Sequence, residues 1–289
     1  ETSTEDYMSV KIWLQRLRFE RELLRNGSIT HERFQATCAE CLDVAGSSLP
    51  DASELWSVVR EAYEDLDENR SRVLDLFVRQ LGIPLAGSEG VLETFESWVK
   101  RGDQVEEKCI REARRLHSKA IRLRYAREER EAQLKALSTE RDDQEALEAA
   151  WLEYVVFEEK EFETAYIDST ADRHAYQRMV CVYERAIAEV PFKACLWQRY
   201  AQMLERVNAP AKKRLRVYQR SVRDAPASCL LQVGLLRASE RFFQTNEIAQ
   251  DAEMARYHAL VEACLTADLP SGNEYVNYFL AYCGVVRRR

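Results

Sequence analysis

The chain has 289 residues, 46% of them apolar and 31% charged, a mixture that excludes a disordered chain and fits a folded, mostly helical one. Its formal net charge of −7 argues against a general nucleic-acid binder, which needs clustered positive charge. No apolar run of about 18 residues offers a membrane span, and eight scattered cysteines read as reduced, buried side chains of a cytosolic or nuclear protein.

The first residues, Glu1-Thr-Ser-Thr-Glu-Asp6, are polar and acidic, unlike a signal or transit peptide. They lack an initiator Met, as expected of a piece of a longer protein. Residues 7–25 read as a helix with Ile12, Trp13, Leu17, Phe19, Leu23 and Leu24, and Trp13 and Glu20 stand seven apart. Asn26-Gly27-Ser28 is a stop, and Thr30 an N-cap. The next helix holds Phe34, Cys38, Cys41, Leu42 and Val44, and Gly46 to Pro50 closes the unit. A third helix, capped by Asp51 or Ser53, carries Leu55, Trp56, Val59, Tyr63 and Leu66. Arg72 then precedes Phe77 by five residues, and Leu81-Gly-Ile-Pro84 ends that pair. Residues 88–101 give another helix with Leu92, Phe95 and Trp98.

Residues 103–165 hold no Pro or Gly and read as two long helices that break near Ser138-Thr139. The first part is basic: Lys108, Arg111, Arg114, Arg115, Lys119, Arg122, Arg124 and Arg127. That run is a candidate patch for RNA or an acidic partner. Asp103, Glu106, Glu107, Glu112, Glu128, Glu129 and Glu131 surround it, and this favours a solvated helix face over the patch.

From Trp151 to Pro226 one message is written twice. The first copy runs Trp151, Tyr154, Glu158, Arg178, Tyr183, Ile187, Pro191. The second runs Trp197, Tyr200, Glu205, Lys213, Tyr218, Val222, Pro226. In both, the second aromatic stands five after a basic residue and eight before the proline. Trp and Tyr three apart share one helix face, so each helix pair has an apolar side that only a neighbouring pair covers. The alternative is two unrelated amphipathic helices in a bundle. Within the first copy, between its two helices, Ser169 to Asp172 reads as a loop. After Pro226 the pattern decays: Gln232 takes the Trp slot, Leu235 the Tyr slot and Glu240 the Glu slot. A helix from about Glu247 to Ala267 with Tyr257 follows, then a break at Pro270-Ser-Gly272. A last helix holds Tyr275, Tyr278, Phe279 and Tyr282 and ends in Arg287-Arg-Arg289, as if further repeats follow.

These residues resemble the HAT repeat, "half a TPR", of RNA-processing scaffolds: Val182-Tyr-Glu-Arg-Ala-Ile187, with Arg185, matches its second helix almost letter for letter. Leu55-Trp56, the run from Leu76 to Leu85, and Leu196 to Arg206 resemble the N-terminal HAT region of the family of squamous cell carcinoma antigen recognised by T cells 3. The resemblance implies a nuclear factor in U4/U6 small nuclear ribonucleoprotein recycling. It implies splicing proteins as partners, and U6 or U4/U6 RNA bound mainly through modules outside this stretch. A ubiquitin-specific protease and a homodimer through later HAT repeats are further implied partners. Arg16 and Val59 stand where that pattern has Tyr, and Gln232 where it has Trp.

Cys38-Ala-Glu-Cys41 is a lone pair at metal-ligand spacing, with no second pair after it, so core packing is the stronger reading. The four histidines are dispersed, and neither a nucleophile motif nor a phosphate loop is present. The sequence therefore names no catalytic, cofactor or metal residue, and no membrane partner. We expect an all-α, HAT/TPR-like α-solenoid of about six stacked antiparallel helix pairs and a final helix. Its parts would be N-terminal repeats over residues 1–102, long charged linking helices over 103–150, and further repeats over 151–289, in one continuous superhelical domain. Its structural positions are Trp13, Glu20, Trp56, Phe77, Pro84, Trp151, Tyr154, Glu158, Tyr183, Arg185, Pro191, Trp197, Tyr200, Glu205, Tyr218 and Pro226. We expect a non-catalytic protein-interaction scaffold in splicing. The rivals are a scaffold of messenger-RNA 3′-end cleavage of the suppressor-of-forked type, and direct RNA binding by residues 108–127.

Overall fold

The structure, a computed structural model, describes residues 9–65, 70–102, 105–140, 143–167, 174–246 and 250–288. Among the described residues it holds thirteen α-helices and no strand. The first six are α1 (Val10–Arg25), α2 (His31–Ala45), α3 (Ala52–Asp65), α4 (Arg70–Leu81), α5 (Val91–Lys100) and α6 (Glu107–Glu140). Then come α7 (Gln144–Ile167), α8 (Ala175–Glu189), α9 (Ala194–Arg206) and α10 (Ala211–Asp224). The last are α11 (Cys229–Asn246), α12 (Gln250–Leu265) and α13 (Gly272–Arg287). The fold is all-α, of the HAT/TPR-like solenoid class.

The chain divides into two compact units, Glu1–Arg185 and Ala186–Arg289. In the first, α1 packs on α2 and on α3, α3 on α4, α4 on α5 and on α6, and α6 on α7. In the second, α9 packs on α10 and on α11, and α11 on α10, α12 and α13. Helices α1, α4, α9 and α11 thus meet both their neighbour in sequence and the equivalent helix of the next pair. That is how pairs with one apolar side bury it. Trp13, Leu17, Phe34, Cys38, Cys41, Leu55 and Trp56 share one core in the first unit. Leu236, Phe243, Tyr257 and Val285 form one in the second.

Local chemistry sets the ends. Gly27 at φ +69° closes α1, with Ser28 N–H donating to Leu23 O at 2.8 Å and Gly27 N–H to Leu24 O at 3.0 Å. Thr30 caps α2 by accepting from Arg33 N–H at 3.3 Å.

The long charged stretch forms two long helices that break near Ser138-Thr139, as expected: α6 ends at Glu140, and Thr139 Oγ1 in its last turn donates to Lys135 O at 2.7 Å, so the hydroxyl is satisfied within α6. The new helix starts after Asp143, whose carboxylate accepts Ala146 N–H at 2.9 Å. The boundary expected between residues 150 and 151 therefore falls inside α7. Nor do residues 103–150 only link repeats, because α6 packs on α4, α5 and α7. Leu66, Asp103, the loop Ser169 to Asp172, Glu247 and Arg289 lie outside the described residues.

Candidate functional site

The Trp, Tyr, Glu and Arg positions come together as bonds between helices. Trp13, Trp56, Trp151 and Trp197 are all buried. Trp56 Nε1 donates to Gly46 O at 2.9 Å, and Trp197 Nε1 to Pro191 O at 2.7 Å. Each indole thus satisfies a carbonyl in the turn before its helix. Gln232 does the same work, with Nε2 donating to Pro226 O at 3.0 Å. Pro191 and Pro226 therefore end one helix pair and supply the acceptor for the next. Pro84 is buried in the turn after α4, between Ile83 and Leu85.

The second helices carry Phe77, Tyr183 and Tyr218, all buried. Tyr183 OH donates to Glu159 Oε1 at 2.6 Å, and Tyr218 OH to Glu205 Oε1 at 3.1 Å. Glu158 does not play that part. The seven-residue step from Trp13 to Glu20 singles out Glu158, whereas the tyrosine is met eight residues after Trp151 and eight after Trp197. One residue more turns the carboxylate about 100° around the helix, toward the second helix. Glu158 instead faces α6, where Arg127 grips it with Nε at 2.6 Å and Nη2 at 3.0 Å.

An arginine two residues after each second-helix aromatic lies over the first-helix Trp. Arg79 sits 5.5 Å from the Trp56 ring centre, Arg185 5.2 Å from Trp151, and Arg220 5.3 Å from Trp197. Two of them also reach back to a carboxylate on an earlier second helix. Arg79 Nη2 bonds Asp43 Oδ1 at 3.2 Å, and Arg185 holds Glu131 through two bonds of 2.7 Å. Tyr154 OH also donates to Glu131, at 2.9 Å. Burial opposes the Arg185 charge, but the Glu131 bonds outweigh it and push the pKa above the usual arginine value. Burial first, then Glu131, pushes the Tyr154 phenol well above its ordinary value. Only Arg185 of these three was singled out from sequence, although aromatic-x-Arg recurs at Phe77, Tyr183 and Tyr218.

The departures from the pattern have structural substitutes. Arg16, in a Tyr slot, lies 4.9 Å from the Trp13 ring centre and bonds Glu20 Oε1 at 3.0 Å. Val59 fills its slot as a buried aliphatic side chain. Tyr200 and Leu235 are buried on α9 and α11.

The basic run is divided by the folding of α6. Arg127 is fully buried with Glu158. Arg124 is buried against Glu89 and Glu128, leaving neither to an outside ligand. Arg114 pairs with Glu96 of α5 at 2.8 Å, and Arg115 with Glu112 at 2.6 Å. Lys108, Arg111, Lys119 and Arg122 form no ion pair with any described residue. Steps of three, eight and three residues place these four on one helix face.

Cys38 and Cys41 are both buried, and burial, with nearby Glu20, raises the Cys38 thiol to about 12. No group of three or more His, Cys, Asp or Glu among the described residues could hold a metal ion. No helix of the described residues is long and apolar enough to cross a membrane.

Helix pairs locked by these recurring aromatic, carboxylate and guanidinium contacts define a protein of the HAT-repeat class. The chain belongs to the suppressor of forked protein (Suf) family, whose model matches residues 56–269. It is similar over its whole length to the human (Homo sapiens) protein called Spliceosome associated factor 3, U4/U6 recycling protein. The two are 26% identical over 293 residues, 100% of this chain and 27% of that protein. The protein of the same description from Mus musculus is 25% identical over 293 residues, with the same coverage. That of Danio rerio is 26% identical over 237 residues, 80% of this chain and 21% of that protein. The chain thus spans about 27% of the length of the mammalian relatives it matches.

Proposed function

We propose that the chain is a non-catalytic protein-interaction scaffold of pre-mRNA splicing that serves assembly or recycling of the U4/U6 ribonucleoprotein in the nucleus. The observation that carries this reading is the similarity, along the whole chain, to a U4/U6 recycling protein. The structure supports it physically. The repeat-defining side chains bond one another and stiffen the helix pairs, which leaves their outer faces for partners. Partner proteins would dock on those faces while RNA-binding modules elsewhere engage the RNA. Retention from nuclear extract on the immobilised chain tests the proposal. U4/U6 proteins, with U4 and U6 RNA lost after protein stripping, are the expected catch. Cleavage factors in their place would favour the 3′-end scaffold, the reading to which the Suf family name also points.

A second reading, direct RNA contact, rests on the single-face alignment of Lys108, Arg111, Lys119 and Arg122. Four phosphate contacts on a single strand give a slope of about −3 in log K against log salt. A flat salt dependence with purified U6 RNA removes this reading.

A further inference from the structure

The turns that join helix pairs in the second unit line a groove of about 540 Å³. Its walls come from Phe192 before α9, from Pro226 in the turn between α10 and α11, from Leu230 in the first turn of α11, and from Pro270 before α13. Phe192 is 82% exposed and Leu230 69%, so neither contributes much to the packing of the unit. Large apolar side chains grouped this way at a concave surface mark an interaction site. The ionised side chains lining the groove are Asp224 and Glu274, both acidic. Asp224 already accepts from Arg223 Nε at 2.9 Å through one oxygen. The Glu274 carboxylate makes no hydrogen bond or ion pair with any described residue, and only its backbone carbonyl is engaged, by Cys229 Sγ at 3.3 Å.

We propose that this groove docks an extended protein segment whose apolar side chains are flanked by arginine or lysine. The proposal rests on the scaffold reading and names the surface and the chemistry of one partner. The apolar walls take two or three aliphatic or aromatic side chains, and the carboxylates meet the flanking cations. The same carboxylates disfavour an acidic segment or a phosphodiester backbone, which would face like charge.

The test is fluorescence anisotropy on the whole 289-residue chain with two labelled nonapeptides. Both carry a leucine–proline–leucine core, one flanked by arginines and the other by glutamates. The arginine peptide should bind at least tenfold more tightly. The double variant Phe192→Ser/Leu230→Ser should weaken it at least tenfold while melting like the parent, because both side chains are exposed. Glu274→Gln should narrow the preference between the peptides. Equal binding of the two peptides, or a double variant that binds like the parent, would overturn the proposal. So would a dimer in sedimentation that the double variant dissolves, since a second copy would then fill the groove. Nuclear-extract retention separates the two failures. If the parent holds U4/U6 proteins but the peptides fail, the groove is wrong and the scaffold stands. If the peptides behave as expected but nothing is retained, the groove stands and the splicing assignment falls.

Discussion

At the scale of single residues, Gln232 shows that the first-helix slot selects a hydrogen-bond donor as well as an aromatic ring. Trp197 and Gln232 each reach the proline carbonyl six residues earlier, at 2.7 Å and 3.0 Å. Trp197→Phe keeps most of the ring and removes the donor, so it should cost about 1–2 kcal/mol. Gln232→Leu should cost about the same for the same reason, whereas Trp197→Ala also opens a cavity and should cost about 3–5 kcal/mol. Urea unfolding of the three variants checks this ordering; a Trp197→Ala protein with the parent's midpoint would remove Trp197 from the core. The Trp slots were legible in sequence because an indole recurring at repeat spacing on an amphipathic helix marks the face that neighbouring helices cover. The choice between Glu158 and Glu159 was not legible. Two adjacent glutamates differ only in the helix face they present, and that depends on where the second helix lies.

Among elements, α6 and α7 show what charge counting misses. Arg127 lies in a run of basic residues, yet it is fully buried and bonded to Glu158 and to Leu123 O. Removing one member of a buried ion pair strands the other charge, so Arg127→Met should cost about 3–5 kcal/mol. The double variant Arg127→Met/Glu158→Met should recover part of that loss, because the pair goes together and only buried Arg178, 3.9 Å from Glu158, loses a carboxylate neighbour. A double-mutant cycle by thermal unfolding measures it, and additive losses would mean that the two groups do not act as a pair. Helix existence and order were readable from the period of apolar residues. The break between α6 and α7 was legible to within a few residues from Ser138-Thr139, and the cap that starts α7, Asp143, shows only in the structure. A second contact between elements was equally hidden. A Cβ on Gly234 of α11 would run into the Tyr218 ring of α10. Gly234→Ala should therefore cost about 1–3 kcal/mol in spite of alanine's better helix propensity. A gain in melting temperature for Gly234→Ala would show that the ring moves aside freely.

For the molecule as a whole, both units keep thiols in their cores, and this gives the fold a pH limit. Burial raises Cys38 and Cys181 in the first unit to about 12, and Cys264 in the second to about 11. The ordinary value is 9.0, so below pH 9 folded and unfolded chains alike hold these protons and nothing is lost. Between pH 9 and the raised values the unfolded chain sheds them first. Stability must then fall as pH rises. Burial also raises Tyr154, Tyr218 and Tyr278, which extend the same trend to higher pH. Urea midpoints at pH 7.5 and 10.5 should therefore separate, and Cys38→Ala/Cys181→Ala/Cys264→Ala should narrow the gap without abolishing it. Thiol labelling at pH 8 provides an independent readout. The exposed Cys195 and Cys283 should react at once, and the buried Cys38, Cys41, Cys181 and Cys264 only on unfolding. If the triple variant showed the parent's pH dependence while Cys38 labelled rapidly in the native chain, the thiols would lie outside the cores and the packing of α2 against α1 and α3 would be wrong.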